Sequence, residues 1–114
     1  MLLAQKRPRG IAEELYRNKT GQQLIAEGLW VCNLSSGDVG FYVYVARNEA
    51  FGKGNAIIYH EVLDGNESGV LYLSLSGLEL FDSNIAIGVG TSTSRTLNFT
   101  LIGSSRENRN PRLW

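Results

Sequence analysis

The residues that could do chemistry are few, and their spacing restricts them further. His60 is the one histidine of the chain and Cys32 the one cysteine. His60 lies in the run AIIYHEV, which alternates as a strand does. Adjacent strand residues point to opposite faces, so His60 and Glu61 do not form an acid–base pair. No nucleophile adjoins it, and it reads as a strand histidine that hydrogen-bonds across a sheet or faces solvent. Cys32 sits in LWVCNL, where a buried thiol behaves as a small apolar group. That stretch lacks the cations that activate a thiolate. One His and one Cys exclude a zinc centre of three or four nitrogen and sulfur ligands, and they leave a cupin-type metal enzyme without its ligands. The loop Gly52-Lys53-Gly54-Asn55 is too short for a phosphate loop and leads into a strand instead of a helix. The loop acids Asp64, Glu67, Glu79 and Asp82 lack the fixed offsets of a calcium loop. The expectation is a protein with no catalytic residues, no metal and no cofactor.

The elements that carry these residues are short strands. Between residues 11 and 102, period-two runs rich in Val, Ile, Leu, Tyr and Phe alternate with Gly, Asn, Asp and Ser clusters. Strands are predicted at 14–17 (ELYR), 22–34 (QQLIAEGLWVCNL, broken or bulged at Gly28), 40–47 (GFYVYVAR) and 56–62 (AIIYHEV). Others follow at 69–75 (GVLYLSL), 84–91 (NIAIGVGT) and 96–102 (TLNFTLI). Gly in a strand marks such a break or a close backbone approach, which is also the reading of Gly88-Val89-Gly90. Residues 76–83 (SGLELFDS) read as a helical turn or a further short strand, with Leu78 and Phe81 capping one end of the core. Residues 48–55 form the longest loop, with Phe51 reading as exposed. Leu71, Leu73 and Leu75, then Ile85, Ile87 and Val89, then Leu97, Phe99 and Leu101, are predicted to face inward. About eight strands and no clear helix imply an all-β, antiparallel two-sheet sandwich of the jelly-roll or Greek-key kind.

Length and charge fit one such domain. The 114 residues are 43% hydrophobic and 19% charged, and eleven basic residues balance eleven acidic ones. This excludes a uniformly basic nucleic-acid binder, and no run of 18 apolar residues is present to span a membrane. The first four residues are too short for the apolar segment of a signal peptide, and the basic residues follow them. The four Asn-x-Ser/Thr triplets, at Asn18, Asn33, Asn66 and Asn98, therefore read as turn and edge-strand composition and not as glycan sites. The neutral total hides a segregation. Residues 1–10 and 103–114 hold six basic residues against one acidic, a net of +5, while residues 11–102 carry −5. The division expected is a basic N-terminal arm at 1–10, a β-sandwich at 11–103 and an extended C-terminal arm at 104–114. Lys6, Arg7, Arg9, Arg106, Arg109, Arg112, Leu113 and Trp114 are the candidate protein-interaction residues of these arms. A terminal Trp is normally buried or placed against a partner, and terminal segments also fray; both readings of the tail stay open. Three basic residues in the N-terminal arm are too few to hold DNA at physiological salt, so no nucleic-acid partner is expected.

The opening ELYRNKTGQQLIAEGLWVCNLSSGDVGFYVYVAR, the stretch AIIYHEVLDGNESGVLYLSLSGLELFDSNIAIGVG and the closing TLNFTLIGSS together resemble small tailed-bacteriophage virion proteins. The matching pieces are residues 29–35, 64–75, 78–89 and 99–103, and the likeness covers about residues 14–103. The Gly-Asp pair usual before the penultimate strand reads Asp82-Ser83 here. The resemblance implies a jelly-roll virion component without catalytic residues: first a capsid decoration (cement) protein, otherwise a collar, baseplate or tail-fibre adaptor. It further implies the major capsid protein or other virion subunits as partners, and a homotrimer. The location implied is the virion, assembled in the bacterial host cytoplasm. From a different class, Tyr42, Tyr44 and Trp30 are the residues on which a carbohydrate-binding sandwich would rely.

Overall fold

A computed structural model of the chain describes residues 1–19, 23–65, 70–80 and 84–105. Among these residues the strands are β1 (Leu2–Lys6), β2 (Glu13–Arg17), β3 (Leu24–Asn33), β4 (Val39–Arg47), β5 (Ala56–Leu63), β6 (Val70–Leu80), β7 (Ile85–Thr91) and β8 (Leu97–Ser105). They form two antiparallel sheets, ordered β1-β8-β3-β6 and β2-β7-β4-β5. The pairing is nested: β1 with β8, β2 with β7, β3 with β6 and β4 with β5. The chain is thus one long hairpin, four strands out and four back, rolled so that successive strand pairs fall in opposite sheets. That is the jelly-roll arrangement, and the two-sheet all-β sandwich expected from the alternation is the architecture found.

Alternation places the core. The first sheet contributes Leu24, Ala26, Leu29, Val31, Leu80, Leu97, Phe99 and Leu101, and the second contributes Leu15, Val39, Phe41, Val43, Leu63, Ile85, Ile87 and Val89. Phe41 and Phe99 meet across the two sheets with ring centroids 6.5 Å apart, a separation in the favourable range for tilted aromatic pairs. Leu71, Leu73, Leu75 and Leu78 pack against this cluster from β6.

Two bulges at one level decide which face each side chain takes. In β3 the register shifts between Ala26 and Gly28 against both β6 and β8. Leu24 and Ala26 face inward before the shift and Leu29 and Val31 after it. Without the extra residue, unbroken period-two alternation would turn Trp30 into the core and Leu29 out of it. β6 answers at the same level: Ser76 and Gly77 both take positive φ, 55° and 71°. Inward positions change there from Leu71, Leu73 and Leu75 to Leu78 and Leu80. Residues 76–80, expected as a helical turn or separate strand, are therefore the continuation of β6 past a bulge. Phe81, expected beside Leu78, lies outside the described residues.

The ends of the sandwich differ from the division expected. Leu2–Lys6 does not extend away as an arm; it is the edge strand β1, paired with β8 from Leu2↔Ile102 to Lys6↔Phe99. Leu3 and Ala4 pack against the core from this strand, while Leu2 stays exposed. At the other end β8 runs to Ser105, two residues beyond the boundary expected at 103. Arg106, Arg109, Arg112, Leu113 and Trp114 lie outside the described residues.

Two buried asparagines close the turns. Asn33 Nδ2 donates to the carbonyls of Gly37 (2.9 Å) and Leu63 (3.0 Å), and its Oδ1 accepts from the Ser35 amide and hydroxyl at 2.9 and 2.8 Å. Asn18 Nδ2 donates to the Leu80 carbonyl at 2.6 Å. Both triplet asparagines are thus committed inside the fold. Asn33→Ala strands two carbonyls and should destabilise the sandwich by about 2 kcal/mol, read as a lower urea midpoint with unchanged m-value.

Candidate functional site

The outer face of the second sheet carries an aromatic cluster on β4 and β5. Phe41 and Val43 face the core, so Tyr42 and Tyr44 are turned to the opposite face. Tyr42 stacks on Tyr44 with centroids 6.4 Å apart, meets Tyr59 edge-on at 5.0 Å and has the His60 ring at 5.6 Å. Lys53 Nζ stands 5.5 Å over the Tyr59 ring. The 48–55 loop folds back over this face. Phe51, expected as exposed, is half-buried at 5.7 Å from Tyr44. Gly88 makes its place, because a Cβ there would sit 2.8 Å from the Phe51 ring. Asn55 pins the loop by accepting from the Gly52 amide and donating to the Ala50 carbonyl, both at 3.0 Å. The Gly52–Asn55 stretch is therefore a self-closed turn whose polar groups face one another.

Tyr44 is 1% exposed, and its hydroxyl donates to the Ile11 carbonyl at 2.6 Å. Burial pushes its phenol above the ordinary 10.0, with Tyr59 and Tyr42 adding to the effect, and burial also raises Tyr16. A raised value in the folded state favours the neutral phenol. The stability it contributes is fully present below the unfolded value and is lost as pH rises through the folded one. Denaturant titrations are expected to show stability falling above about pH 10, with a shallower fall in Tyr44→Phe and Tyr16→Phe. At neutral pH Tyr44→Phe should cost about 1 kcal/mol, the loss of one hydrogen bond whose acceptor remains.

His60 is exposed on the edge strand β5 with φ 63°, the residue at which the register against β4 shifts. The fold brings a hydroxyl near it that sequence spacing hid. A Cβ on Gly40 would lie 2.7 Å from the imidazole and 3.4 Å from Ser92 Oγ. Ser92 Oγ is engaged as the acceptor of the Gly40 amide at 2.9 Å. No group of three or more His, Cys, Asp and Glu that could hold a metal occurs among the described residues.

The outer face of the first sheet holds a second arrangement that the sequence reading missed. Gln5, Thr100, Trp30 and Tyr72 lie in register across β1, β8, β3 and β6. Gln5 Nε2 donates to Thr100 Oγ1 at 2.9 Å. Trp30 and Tyr72 are 42% and 43% exposed, with ring centroids 4.8 Å apart. Gly28 gives the Tyr72 ring its place, since a Cβ there would overlap the phenol. Cys32, expected as buried, is half-buried on this face, between Asn98 and Val70 in register. Nothing in strand periodicity pairs Trp30 with Tyr72; the bulge in β3 and the β3–β6 register do. The same geometry separates the three residues expected for sugar binding. Trp30 is on one outer face, Tyr42 and Tyr44 on the other, and Tyr44 is buried.

Of the interaction residues expected in the N-terminal segment, Lys6 and Arg7 make contacts within the chain. Lys6 Nζ stands 3.6 Å from Glu13 Oε1, and an Arg7 guanidinium nitrogen donates to the Arg95 carbonyl at 3.0 Å. The Arg9 amide donates to Glu13 Oε2 at 2.9 Å, and the residue is exposed. Comparison of the chain with protein-family models, curated proteins and solved structures gives no match.

Proposed function

We propose that the chain is a structural component of a bacteriophage virion, a capsid decoration protein that binds and stabilises the outer shell, with a collar, baseplate or tail-fibre adaptor as the variant on the same fold. The observation that carries this reading is the nested eight-strand pairing, an arrangement recurrent in viral shell proteins. The warrant is analogy of fold, joined to the sequence resemblance and to a basic terminal segment set against an acidic body. Opposite charge on body and termini favours contact with one sign of neighbouring surface. On this reading the contact with the shell is made by residues 106–114.

Quantitative mass spectrometry of purified particles tests it. A decoration protein is expected in hundreds of copies per particle and an adaptor in about a dozen, as the symmetry of a shell against that of a single vertex requires. Absence from particles overturns the reading. A chain ending at Ser105, which keeps all of β8, is expected to retain its melting temperature and lose particle binding; full occupancy by that shortened chain refutes the role of the tail.

A second reading rests on a separate observation. The lectins share this roll, and the exposed Trp30–Tyr72 pair beside Thr100 and Gln5 combines apolar ring faces with hydrogen-bonding groups. A change in tryptophan fluorescence with a glycan panel, lost in Trp30→Ala, would support a carbohydrate-binding module in place of a cement protein.

A further inference from the structure

We infer that the β6 edge is a self-pairing surface, and that two copies of the chain join β6 to β6, antiparallel, about a two-fold axis. The inference rests on how differently the four sheet edges are protected. An edge strand presents a row of unpaired backbone N–H and C=O groups that templates another strand unless charge, bulges or shortness blunt it. β2 has five residues, of which Glu13, Glu14 and Arg17 are charged, and these are engaged within the chain: Lys6–Glu13 at 3.6 Å and Arg17–Glu14 at 2.7 Å. β5 breaks register twice against β4 and carries His60 at positive φ followed by Glu61. β1 has five residues and ends in Lys6.

β6 has none of these protections over most of its length. It is eleven residues long, the longest strand among the described residues, and its one charge is Glu79, next to its end. From Val70 to Ser74 it pairs with β3 in five consecutive, unshifted positions, Cys32↔Val70 to Gly28↔Ser74. Its first bulge comes only at Ser76 and Gly77. Among the described residues it has a strand neighbour on one side only.

The occupant follows from the same residues. In a two-fold antiparallel pair each residue meets a residue of the same short run, so a charge on the edge is placed close to its own copy. The run VLYLSLS holds no charge to repel, and its exposed side chains, Val70 (46%), Tyr72 (43%), Ser74 and Ser76, are all uncharged. Pairing would extend the β1-β8-β3-β6 sheet into one of eight strands. The Trp30–Tyr72 rows of the two copies would then lie on a single continuous face. This inference is independent of the virion reading.

Analytical ultracentrifugation of the full chain across a concentration series tests it, with the double variant Val70→Lys/Ser74→Lys, both positions exposed, as the comparison. Like charges set on facing edge strands are expected to weaken the dimer roughly tenfold or more while the circular dichroism melting curve keeps its shape. Amide hydrogen exchange on the unaltered chain is a second readout that needs no variant. Protection of the Val70–Ser74 amides should rise with protein concentration, and that of the β1 amides should not. A monomer at all concentrations, a trimer, or a dimer indifferent to the lysines overturns the inference. So does β6 protection that does not change with concentration, which would place a segment of the same chain on that edge.

Discussion

Phe99→Ala is expected to lower the unfolding free energy by about 3–5 kcal/mol. Phe99 is fully buried in the first half of β8 and is the aromatic partner of Phe41 across the sandwich. Removing its ring deletes apolar burial and leaves a cavity walled by two hydrogen-bonded sheets. Sheets held by ladders on both sides collapse poorly into such a space, which puts the loss in the upper range for large-to-small changes. Against a total stability of about 5–15 kcal/mol, the variant should melt on the order of 15 °C lower. Urea unfolding followed by tryptophan fluorescence measures it, and a loss under about 1.5 kcal/mol would mean that the two sheets close over the gap.

Gly90→Val is the second large effect, from the opposite cause. Gly90 is on β7, paired with Tyr42 in β4. A Cβ at this position would overlap the backbone carbonyl of Ile11. That carbonyl has little freedom to move, because Tyr44 Oη donates to it at 2.6 Å and the neighbouring Gly10 carbonyl accepts from the Thr91 amide at 2.9 Å. The substitution must therefore expel the 10–11 segment or distort β7. The expected cost is about 3 kcal/mol or more, the upper end of overpacking penalties, with loss of the Tyr44 hydrogen bond as a local signature. Gly54→Ala is the matched control: no atom lies within 4 Å of its Cβ position, so its change should stay within about 0.5 kcal/mol. Equal effects at the two glycines would refute the close-approach account.

The two predictions differ in how far they were legible beforehand. TLNFTLI alone turns Phe99 inward, because strand alternation is a local rule and the neighbouring Leu97 and Leu101 agree with it. Gly90 was readable as a site of close packing, but not what approaches it. The Ile11 carbonyl is 79 positions away in sequence, and only the roll that lays the β1–β2 connection over β7 brings the two together.

The candidate surfaces divide in the same way. Tyr42 and Tyr44 share a face by alternation, and the sequence was enough to say so. Residue type groups Trp30 with them, but the fold sends it to the opposite sheet. The choice between Leu29 and Trp30 as the inward residue hangs on one extra residue near Gly28. Both registers satisfy local propensity; what separates them is whether Leu29 and Val31 fill the space opposite the second sheet, a non-local energy. Phe51 likewise looked exposed because loops run on surfaces. It is half-buried because Gly88, on a strand distant in sequence, leaves room for its ring.

By itself the sequence determined the class of fold and most of the inward-facing residues. These follow from period-two alternation and from turn residues that act over two to four positions. It also determined the segregation of charge between termini and body. Its total of about eight strands agrees with the structure only because Leu2–Lys6 is read as an arm while residues 76–80 are read apart from β6. The tertiary structure decided the nesting of the strands, the capture of Leu2–Lys6 as an edge, the side on which Trp30 emerges and, among the described residues, the place of β6 at a sheet edge. Each of these depends on which distant strand lies alongside, and pairing partners in a rolled hairpin are chosen by total burial, not by any local run of residues.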